Sequence, residues 1–134
     1  AGGQPGALAR RKHSFASDSE SDDEAGEGLT SAQRMAHTLN NWCQTEANMA
    51  HMVREQGVQV LVALSQKGAD DFRVLKHCVS AFYRLSKAPE RRGALIAAGA
   101  VPALLALSYG CATFHSVAAG RACAAALVRL SLHP

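Results

Sequence analysis

The sequence is poor in aromatic and acidic side chains. Aromatic residues make up 5% of its 134 residues, and only five of its eleven acidic residues lie in residues 29–134. The glycine-rich loops that hold nucleotide phosphates, the HExxH pattern of zinc proteases and the GxSxG pattern of serine hydrolases are all missing. The scattered histidines and cysteines do not offer the three or four converging ligands that a metal site needs. We therefore expect no enzyme activity, no cofactor and no metal.

The distribution of the four cysteines bears on the compartment. None of the four cysteines belongs to a CxxC pair, and no secretory signal stands at the start of the sequence. Free cysteines among apolar neighbours behave as small core residues and are typical of a reducing compartment. We expect an intracellular protein, cytoplasmic or cytoskeletal, with a nuclear location left open.

What the sequence does contain is an internal repeat. Gln56–Ser65 (QGVQVLVALS) aligns with Gly99–Ser108 (GAVPALLALS) at an offset of 43 residues. Further along, Cys78–Ser86 aligns with Cys123–Ser131 at an offset of 45, which a two-residue insertion in a loop explains. A helical period in the low forties is typical of an α-solenoid.

The first 28 residues differ from the rest in composition and charge. They hold three basic and six acidic residues, whereas residues 29–134 hold eleven basic and five acidic ones. Such a polar segment with few apolar side chains is predicted to be disordered. Within it, Ser14 follows an arginine by three positions, and three further serines each precede an acidic residue by three positions: Ser17, Ser19 and Ser21. These four are candidate phosphorylation sites; the alternative is a linker that only aids solubility.

Apolar periodicity predicts seven helices in residues 29–134, with loops at 66–70 and 110–116. Thr30 or Ser31 is expected to cap the first helix, and Asp70 is a candidate cap after the loop at 66–70. The predicted helices cover Ser31–Cys43, Glu46–Gln56, Val58–Ser65, Asp71–Ser86, Pro89–Ala98, Ala100–Tyr109 and Val117–Leu132.

Three of these helices show a clear apolar face, which predicts the core. In the first helix, the repeat position of Trp42 predicts that it is a large, buried core side chain. The predicted buried residues are Met35, Ala36, Leu39 and Trp42 in the first helix, Leu75, Cys78, Val79, Phe82 and Leu85 in the fourth, and Cys123, Ala124, Leu127 and Leu130 in the last.

Gly93–Gly120 contains no Asp, Glu, Lys or Arg and by its length could span a membrane. Gly99, Pro102, Gly110 and His115 divide this stretch into short pieces, and the earlier repeat is more polar at the matching positions. A spanning helix needs about 20 consecutive apolar residues. We expect no membrane span.

The turn into the second helix of the repeat, Gly99–Leu107 (GAVPALLAL), and the Leu-Ser pair at the end of the third helix resemble the armadillo repeat family. The resemblance covers residues 29–134 and implies an all-α, right-handed α-solenoid of three-helix repeats, preceded by the disordered tail. It divides the chain into the last helix of a partial repeat at 31–43, one repeat at 44–87 and a second at 88–134. Gln59 stands where the family usually has proline.

The resemblance also implies a concave groove, lined by third helices, that holds an extended peptide or a partner surface. The family's asparagine before the terminal Leu-Ser corresponds here to Asn41, Arg84 and Arg129, with Tyr83 and Lys87 as secondary groove residues. The two arginines would make the groove basic. The tryptophan-and-asparagine pattern of nuclear-import adaptors is absent, so a receptor for nuclear localisation signals is rejected.

Four basic residues form the one dense cationic cluster: Arg84, Lys87, Arg91 and Arg92. The functional interpretation is a patch for an acidic partner, and the alternative is a solvated helix end and loop. Nucleic-acid binding is disfavoured because Tyr83 is the only aromatic residue near the cluster that could stack on a base.

Two functions remain open. The first is a non-catalytic scaffold that binds an acidic or extended segment of a protein partner along the groove. The acidic tail would then compete for the same surface, and phosphorylation would strengthen that contact. The alternative is an architectural segment of a larger solenoid packed into a cytoskeletal or other large assembly. The initial Ala and the final exposed helix suggest a piece of a longer protein.

Overall fold

The computed structural model describes residues 28–134, and this part of the chain is all-helical, with no strand. The four candidate phosphorylation sites lie outside the described residues. Seven helices follow one another with short connections, and the structure bounds them as α1 (Ser31–Trp42), α2 (Glu46–Arg54), α3 (Gly57–Gly68), α4 (Phe72–Leu85), α5 (Pro89–Ala97), α6 (Ala100–Thr113) and α7 (Val117–Ser131).

Most helix starts are fixed by side chains that accept hydrogen bonds from the first free backbone N–H groups. Thr30 forms a capping box with Gln33: the Gln33 N–H donates to Thr30 Oγ1 over 3.1 Å, and the Thr30 N–H donates to Gln33 Oε1 over 2.9 Å. The predicted cap Asp70 is wrong by one position. Asp71 caps α4, and its Oδ1 accepts from the backbone N–H of Arg73 over 2.9 Å.

The two corners between short first helices and buried second helices share one backbone conformation. Gly99, between α5 and α6, has φ 97° and ψ 25°, and Gln56, between α2 and α3, has φ 65° and ψ 23°. Both lie in the left-handed region, which favours glycine. Because the two residues occupy the same position of the 43-residue repeat, the internal repeat seen in the sequence is also a repeat of local geometry. The α5 and α6 axes meet at 86°.

Two second helices are longer than the sequence predicts. α3 continues through Gly68 and α6 through Thr113, so the expected loops shrink to 69–71 and 114–116. Gly110 was expected to end α6, but it lies inside the helix, where a Cβ would sit 2.5 Å from the carbonyl oxygen of Ala69 and against Leu75. The glycine is therefore required by close helix packing, and it does not end the helix.

Helices three apart in the chain pack on one another. α4 lies between α1 and α7, α6 packs on α3, and α5 packs on α2. The central helix α4 is consequently buried along most of its length, including the polar side chains of Lys76, His77 and Ser80. Its predicted apolar face is confirmed: Leu75, Cys78, Val79, Phe82 and Leu85 are each at most 1% exposed.

The predicted faces of α1 and α7 are partly wrong. Trp42 is 39% exposed and stacks on His51, with ring centroids 5.4 Å apart, while the adjacent Cys43 is buried in its place. Met35 is also exposed, because in the described structure α4 covers only one side of α1. In α7 the helix turns so that Ala122 and Ala126 are buried and Ala124 faces outward.

Candidate protein-binding surface

The packing of α1, α4 and α7 places the predicted groove residues near the C-terminal ends of three neighbouring helices. Asn41 and Lys87 are exposed, whereas the side chains of Tyr83, Arg84 and Arg129 are half-buried. We call these five residues the third-helix row. Among the described residues, no hydrogen bond joins the Asn41 side chain to the other four. Arg84 is nevertheless close enough to α1 for its charge to act on the thiol of Cys43.

Tyr83 is the centre of the row. Lys87, just after the C-terminal end of α4, places its Nζ over the Tyr83 ring, 5.1 Å from the ring centroid. The Arg129 guanidinium, from α7, lies over the same ring, 4.5 Å from the centroid. Each cation over the face of an aromatic ring is favoured by the ring quadrupole. These contacts bring Tyr83, Lys87 and Arg129, three of the predicted groove residues, together.

Arg129 also has a structural role. Its Nη1 donates to the carbonyl oxygen of Tyr83 over 2.8 Å and to Ser86 Oγ over 3.3 Å. These bonds satisfy backbone and side-chain acceptors at the C-terminus of α4, where carbonyl groups lack helical partners. Arg129 therefore holds α7 against α4, in addition to contributing positive charge. The Arg84 side chain, in contrast, makes no hydrogen bond or ion pair within residues 28–134 and keeps its donors available.

The structure places the four members of the dense cationic cluster in different environments: Arg91 is buried, Arg84 and Arg92 are half-buried, and Lys87 is exposed. Arg91 is 6% exposed, and its Nε and Nη2 donate to the carbonyl oxygens of Leu85 (2.9 Å) and Arg84 (3.2 Å). Arg92 donates in the same way to Ser86 and Lys87 over 2.9 and 3.2 Å. Both side chains cap the end of α4. The donors of Arg84 and Lys87 are not engaged in this capping, and Arg92 adds a half-buried charge beside them.

A buried polar contact between α1 and α4 was not predicted from the sequence. Asn40 is 8% exposed, and its Nδ2 lies 3.4 Å from Nδ1 of His77, whose ring meets that of His37 edge-on at 5.0 Å. Asn40 Oδ1 is buried without a hydrogen bond in the described structure. The aligned positions in the later third helices hold Tyr83 and Val128. The sequence signal that could have identified this contact was the polar Asn40 at a repeat position that otherwise holds the larger Tyr83 and Val128.

The four cysteines are buried free thiols, which confirms the prediction that Cys78 and Cys123 are core residues. Burial raises the pKa of the Cys43 thiol to about 12, although the charges of Arg84 and Arg91 act in the opposite direction. Burial likewise raises the pKa of Cys78 to about 11. A thiolate, not a thiol, is the nucleophile. These cysteines are poorly suited to nucleophilic chemistry at neutral pH.

Within the described range 28–134, no three His, Cys, Asp or Glu side chains converge in a group that could hold a metal ion. No single helix in this range has the length and apolar character to cross a membrane. One bent pair, α5 with α6, reaches that length and composition only when its two helices are taken together.

Comparison with known proteins finds no counterpart: no family model, no curated protein and no solved structure matches the chain. The resemblance to armadillo repeats accordingly depends on the residues quoted above.

Proposed function

We propose that the chain is a non-catalytic protein-interaction scaffold of the armadillo type, which binds an acidic, extended segment of a partner protein along the third-helix row. One observation carries the proposal: α1, α4 and α7 pack side by side, so that Asn41, Arg84 and Arg129 occupy equivalent positions on three neighbouring helices. An extended peptide crossing these helices would meet an amide first and two guanidinium groups after it.

The charges of the row favour an acidic ligand. Arg84 and Lys87 keep hydrogen-bond donors available, and the half-buried ring of Tyr83 contacts two cations. The described part of the chain has eleven basic against five acidic residues. Electrostatic complementarity of this kind raises association rates and selects against basic partners. The affinity should therefore fall as the salt concentration rises.

The test is a titration of the full chain with a fluorescently labelled acidic peptide, followed by anisotropy. The peptide has the sequence of residues 17–27, and a control peptide replaces its Asp and Glu by Asn and Gln. Exposed charge pairs contribute about 0.2–1 kcal/mol each, so Arg84→Gln with Lys87→Gln should weaken binding about two- to thirtyfold. Arg121→Gln removes an exposed cation of α7 outside the row and should change little.

Equal affinity of the Arg84→Gln/Lys87→Gln variant and the wild type, at unchanged helicity by circular dichroism, would refute the row as the binding surface. Arg129 is not a suitable first target because it also joins α7 to α4. Loss of binding in an Arg129 variant would not separate a binding role from a folding role.

The chain's own acidic tail is proposed as a competitor for the same row. It carries six acidic residues, and phosphate groups on Ser17, Ser19 or Ser21 would add further negative charge. Removal of residues 1–28 should then raise the affinity for the added peptide, most strongly at low salt. An unchanged affinity across the salt series would rule out this competition.

The alternative is an architectural segment of a larger solenoid. The specific observation in its favour is the set of large apolar side chains that α6 and α7 leave exposed.

A further inference from the structure

We propose that Phe15 of the tail docks on a small aromatic surface at the N-terminal ends of the third helices. This surface, which we call the aromatic edge, consists of Phe72 and Phe114, whose ring centroids are 5.4 Å apart. The two side chains are 39% and 36% exposed. Exposed apolar side chains that lie together, unlike single ones, mark interaction sites. The proposal does not depend on peptide binding by the third-helix row, which lies at the opposite ends of these helices.

The exposure of the aromatic edge does not come from a free end of the helix stack. Phe72 belongs to the first repeat, and it is exposed although α7 of the second repeat packs against α4. It is the first residue of α4 and directly follows the cap Asp71, at a position where acidic side chains favour the start of a helix. A phenylalanine there does not stabilise the helix start, and its ring instead contacts that of Phe114.

Phe114 reaches Phe72 because of the two-residue insertion in the second repeat. The caps Asp71 of α4 and Ser116 of α7 are equivalent at an offset of 45, whereas α3 and α6 align at an offset of 43. The inserted residues are therefore Phe114 and His115. His115 adopts φ 55°, a left-handed conformation that is unfavourable for a residue with a Cβ. The insertion thus adds an aromatic ring beside Phe72 and holds it on a strained turn.

The tail joins the described structure beside the aromatic edge. Leu29, directly before the cap of α1, is buried and so fixes the point at which the chain enters the helices. In the first turn of α1, Gln33 donates from Nε2 to Asp71 Oδ2 over 2.9 Å. Asp71 is followed by Phe72 in the chain. Residues 1–27 therefore begin about one helical turn from the side chains that contact the aromatic edge.

The tail offers one side chain of matching chemistry. Phe15 is the only Phe, Trp or Tyr in residues 1–27, and Leu8 is the only other large apolar residue. Phe15 precedes Gly28 by 13 positions, and a disordered chain of that length, as the composition predicts, spans about 20 Å on average. Such a tether gives an effective concentration of about millimolar. A single aromatic contact that is too weak to join separate molecules can therefore form within one chain.

The electrostatics of the aromatic edge differ from those of the third-helix row. The segment around Phe72 has balanced charge, with two acidic and two basic residues: Lys67, Asp70, Asp71 and Arg73. An apolar contact of Phe15 in this setting should persist at high salt. The proposed contact of the acidic residues 17–27 with the third-helix row should weaken there. Salt dependence therefore separates the two contacts.

The test is amide-resolved NMR spectroscopy of the isotope-labelled full chain, with the wild type measured beside Phe15→Ala. The ring current of a docked phenylalanine shifts the signals of nearby amides. Phe15→Ala should therefore shift the amides of residues 72–74 and 114–117, at low and at high salt alike. Leu8→Ala is the matched control and should leave these amides unchanged. Both substitutions are in the tail, so neither removes a contact within residues 28–134.

A double-mutant cycle tests whether the aromatic edge is the partner of Phe15. In a chain with Phe72→Gln, the further change Phe15→Ala should no longer shift the amides of 114–117, because the docking surface is incomplete. Circular dichroism checks the helicity of this variant, and Phe114→Ala is a second variant with the same expected result. Shifts that are confined to the tail, or that persist unchanged in both edge variants, would overturn the proposal.

Two other outcomes would assign Phe15 or the aromatic edge differently. Shifts at residues 84–87, and none at the aromatic edge, would place Phe15 on the third-helix row and overturn the proposal. Edge shifts that fade on dilution would assign the aromatic edge to the tail of a second copy, because a contact within one chain is independent of protein concentration. Salt-resistant edge shifts together with unchanged peptide binding in Arg84→Gln/Lys87→Gln would support the aromatic edge and refute the third-helix row. The two proposals can therefore fail separately.

Discussion

The guanidinium of Arg91 donates from Nη1 to Glu46 Oε1 over 2.6 Å and so joins the first turn of α5 to the first turn of α2. The same side chain caps α4 through the carbonyl oxygens of Leu85 and Arg84. One arginine thus connects three helices that belong to two successive repeats. The two partners differ sharply in environment, because the Arg91 side chain is 7% exposed and that of Glu46 is 76% exposed.

Arg91→Ala should therefore destabilise the protein far more than Glu46→Ala. Loss of the guanidinium leaves the Leu85 carbonyl oxygen without its donor in a buried place, and we expect the free energy of unfolding to fall by about 2–4 kcal/mol. Loss of the exposed carboxylate should cost at most about 1 kcal/mol. Urea denaturation of both variants measures the difference.

Arg91→Lys is the matched control, because it keeps the charge but not the planar fork that reaches several acceptors at once. Arg91→Lys should recover only a minor part of the free energy of unfolding that Arg91→Ala loses. If Arg91→Lys is as stable as the wild type, or if Glu46→Ala costs as much as Arg91→Ala, the ion pair and not the capping of α4 is the important contribution.

Two helical glycines make a second matched pair. Gly110→Ala would place a Cβ 2.5 Å from the Ala69 carbonyl oxygen and against Leu75, and we expect it to lower the free energy of unfolding by about 1–3 kcal/mol. Gly120→Ala, in α7, meets only Cys111 Cβ at 3.9 Å and should be neutral or stabilising by up to about 1 kcal/mol, because alanine favours helices. Equal melting temperatures of the two variants would contradict the close packing of α6 on the first repeat.

The sequence predicts those features that depend on local pattern. The helix-turn-helix corner at Gly99 and the five apolar residues of α4 follow from glycine placement and from a 3.6-residue period, and the structure has them where expected. At the first corner the predicted helix Glu46–Gln56 is too long: α2 ends at Arg54, and Gln56, not a glycine, adopts the left-handed conformation. The approximate helix number and order follow from the same signals.

Features that depend on a neighbouring helix could not be predicted in this way. Gly110 resembles a helix end in sequence, yet its role is set by Ala69 and Leu75 in other elements. Arg91 resembles a member of a solvated basic run, and only the packing of α5 against α2 shows that it is buried. Trp42 is partly exposed for a similar reason: a large apolar side chain is buried only where another helix covers it.

The two corners supply a third test, which isolates backbone strain. Gln56 adopts φ 65°, a conformation that costs a residue with a Cβ roughly 1 kcal/mol relative to glycine. Gln56→Gly should accordingly stabilise the protein by about 0.5–1 kcal/mol. Gly99→Ala should destabilise it by about 1–2 kcal/mol, although the nearest atom to the new Cβ, Val62 Cγ1, is at an unhindered 3.6 Å. Thermal denaturation should show the melting temperature raised in Gln56→Gly and lowered in Gly99→Ala. Shifts of the same sign would mean that the two corners are not equivalent.

The buried cysteines predict a loss of stability at alkaline pH. The pKa is raised from an ordinary 9.0 to about 12 for Cys43 and about 11 for Cys78, chiefly by burial. Above pH 9 the unfolded chain releases these protons while the folded chain keeps them, so the unfolded state binds fewer protons and stability must fall as pH rises. Each thiol in that condition contributes a slope of about 1.4 kcal/mol per pH unit. The stabilisation is complete below pH 9 and is lost as pH rises through the folded-state pKa values.

Urea denaturation between pH 7 and pH 10 measures this slope, and the variant Cys43→Ala/Cys78→Ala isolates its source. The variant will be less stable at pH 7, because two buried side chains become smaller. Its stability should nevertheless fall less steeply with pH than that of the wild type, and the difference in slope cancels the titration of lysine and tyrosine common to both proteins. Parallel pH profiles would show that the thiols ionise equally in both states. Rapid labelling of native Cys43 by a thiol reagent at pH 8 would lead to the same conclusion, since a thiol with so high a pKa supplies almost no thiolate there.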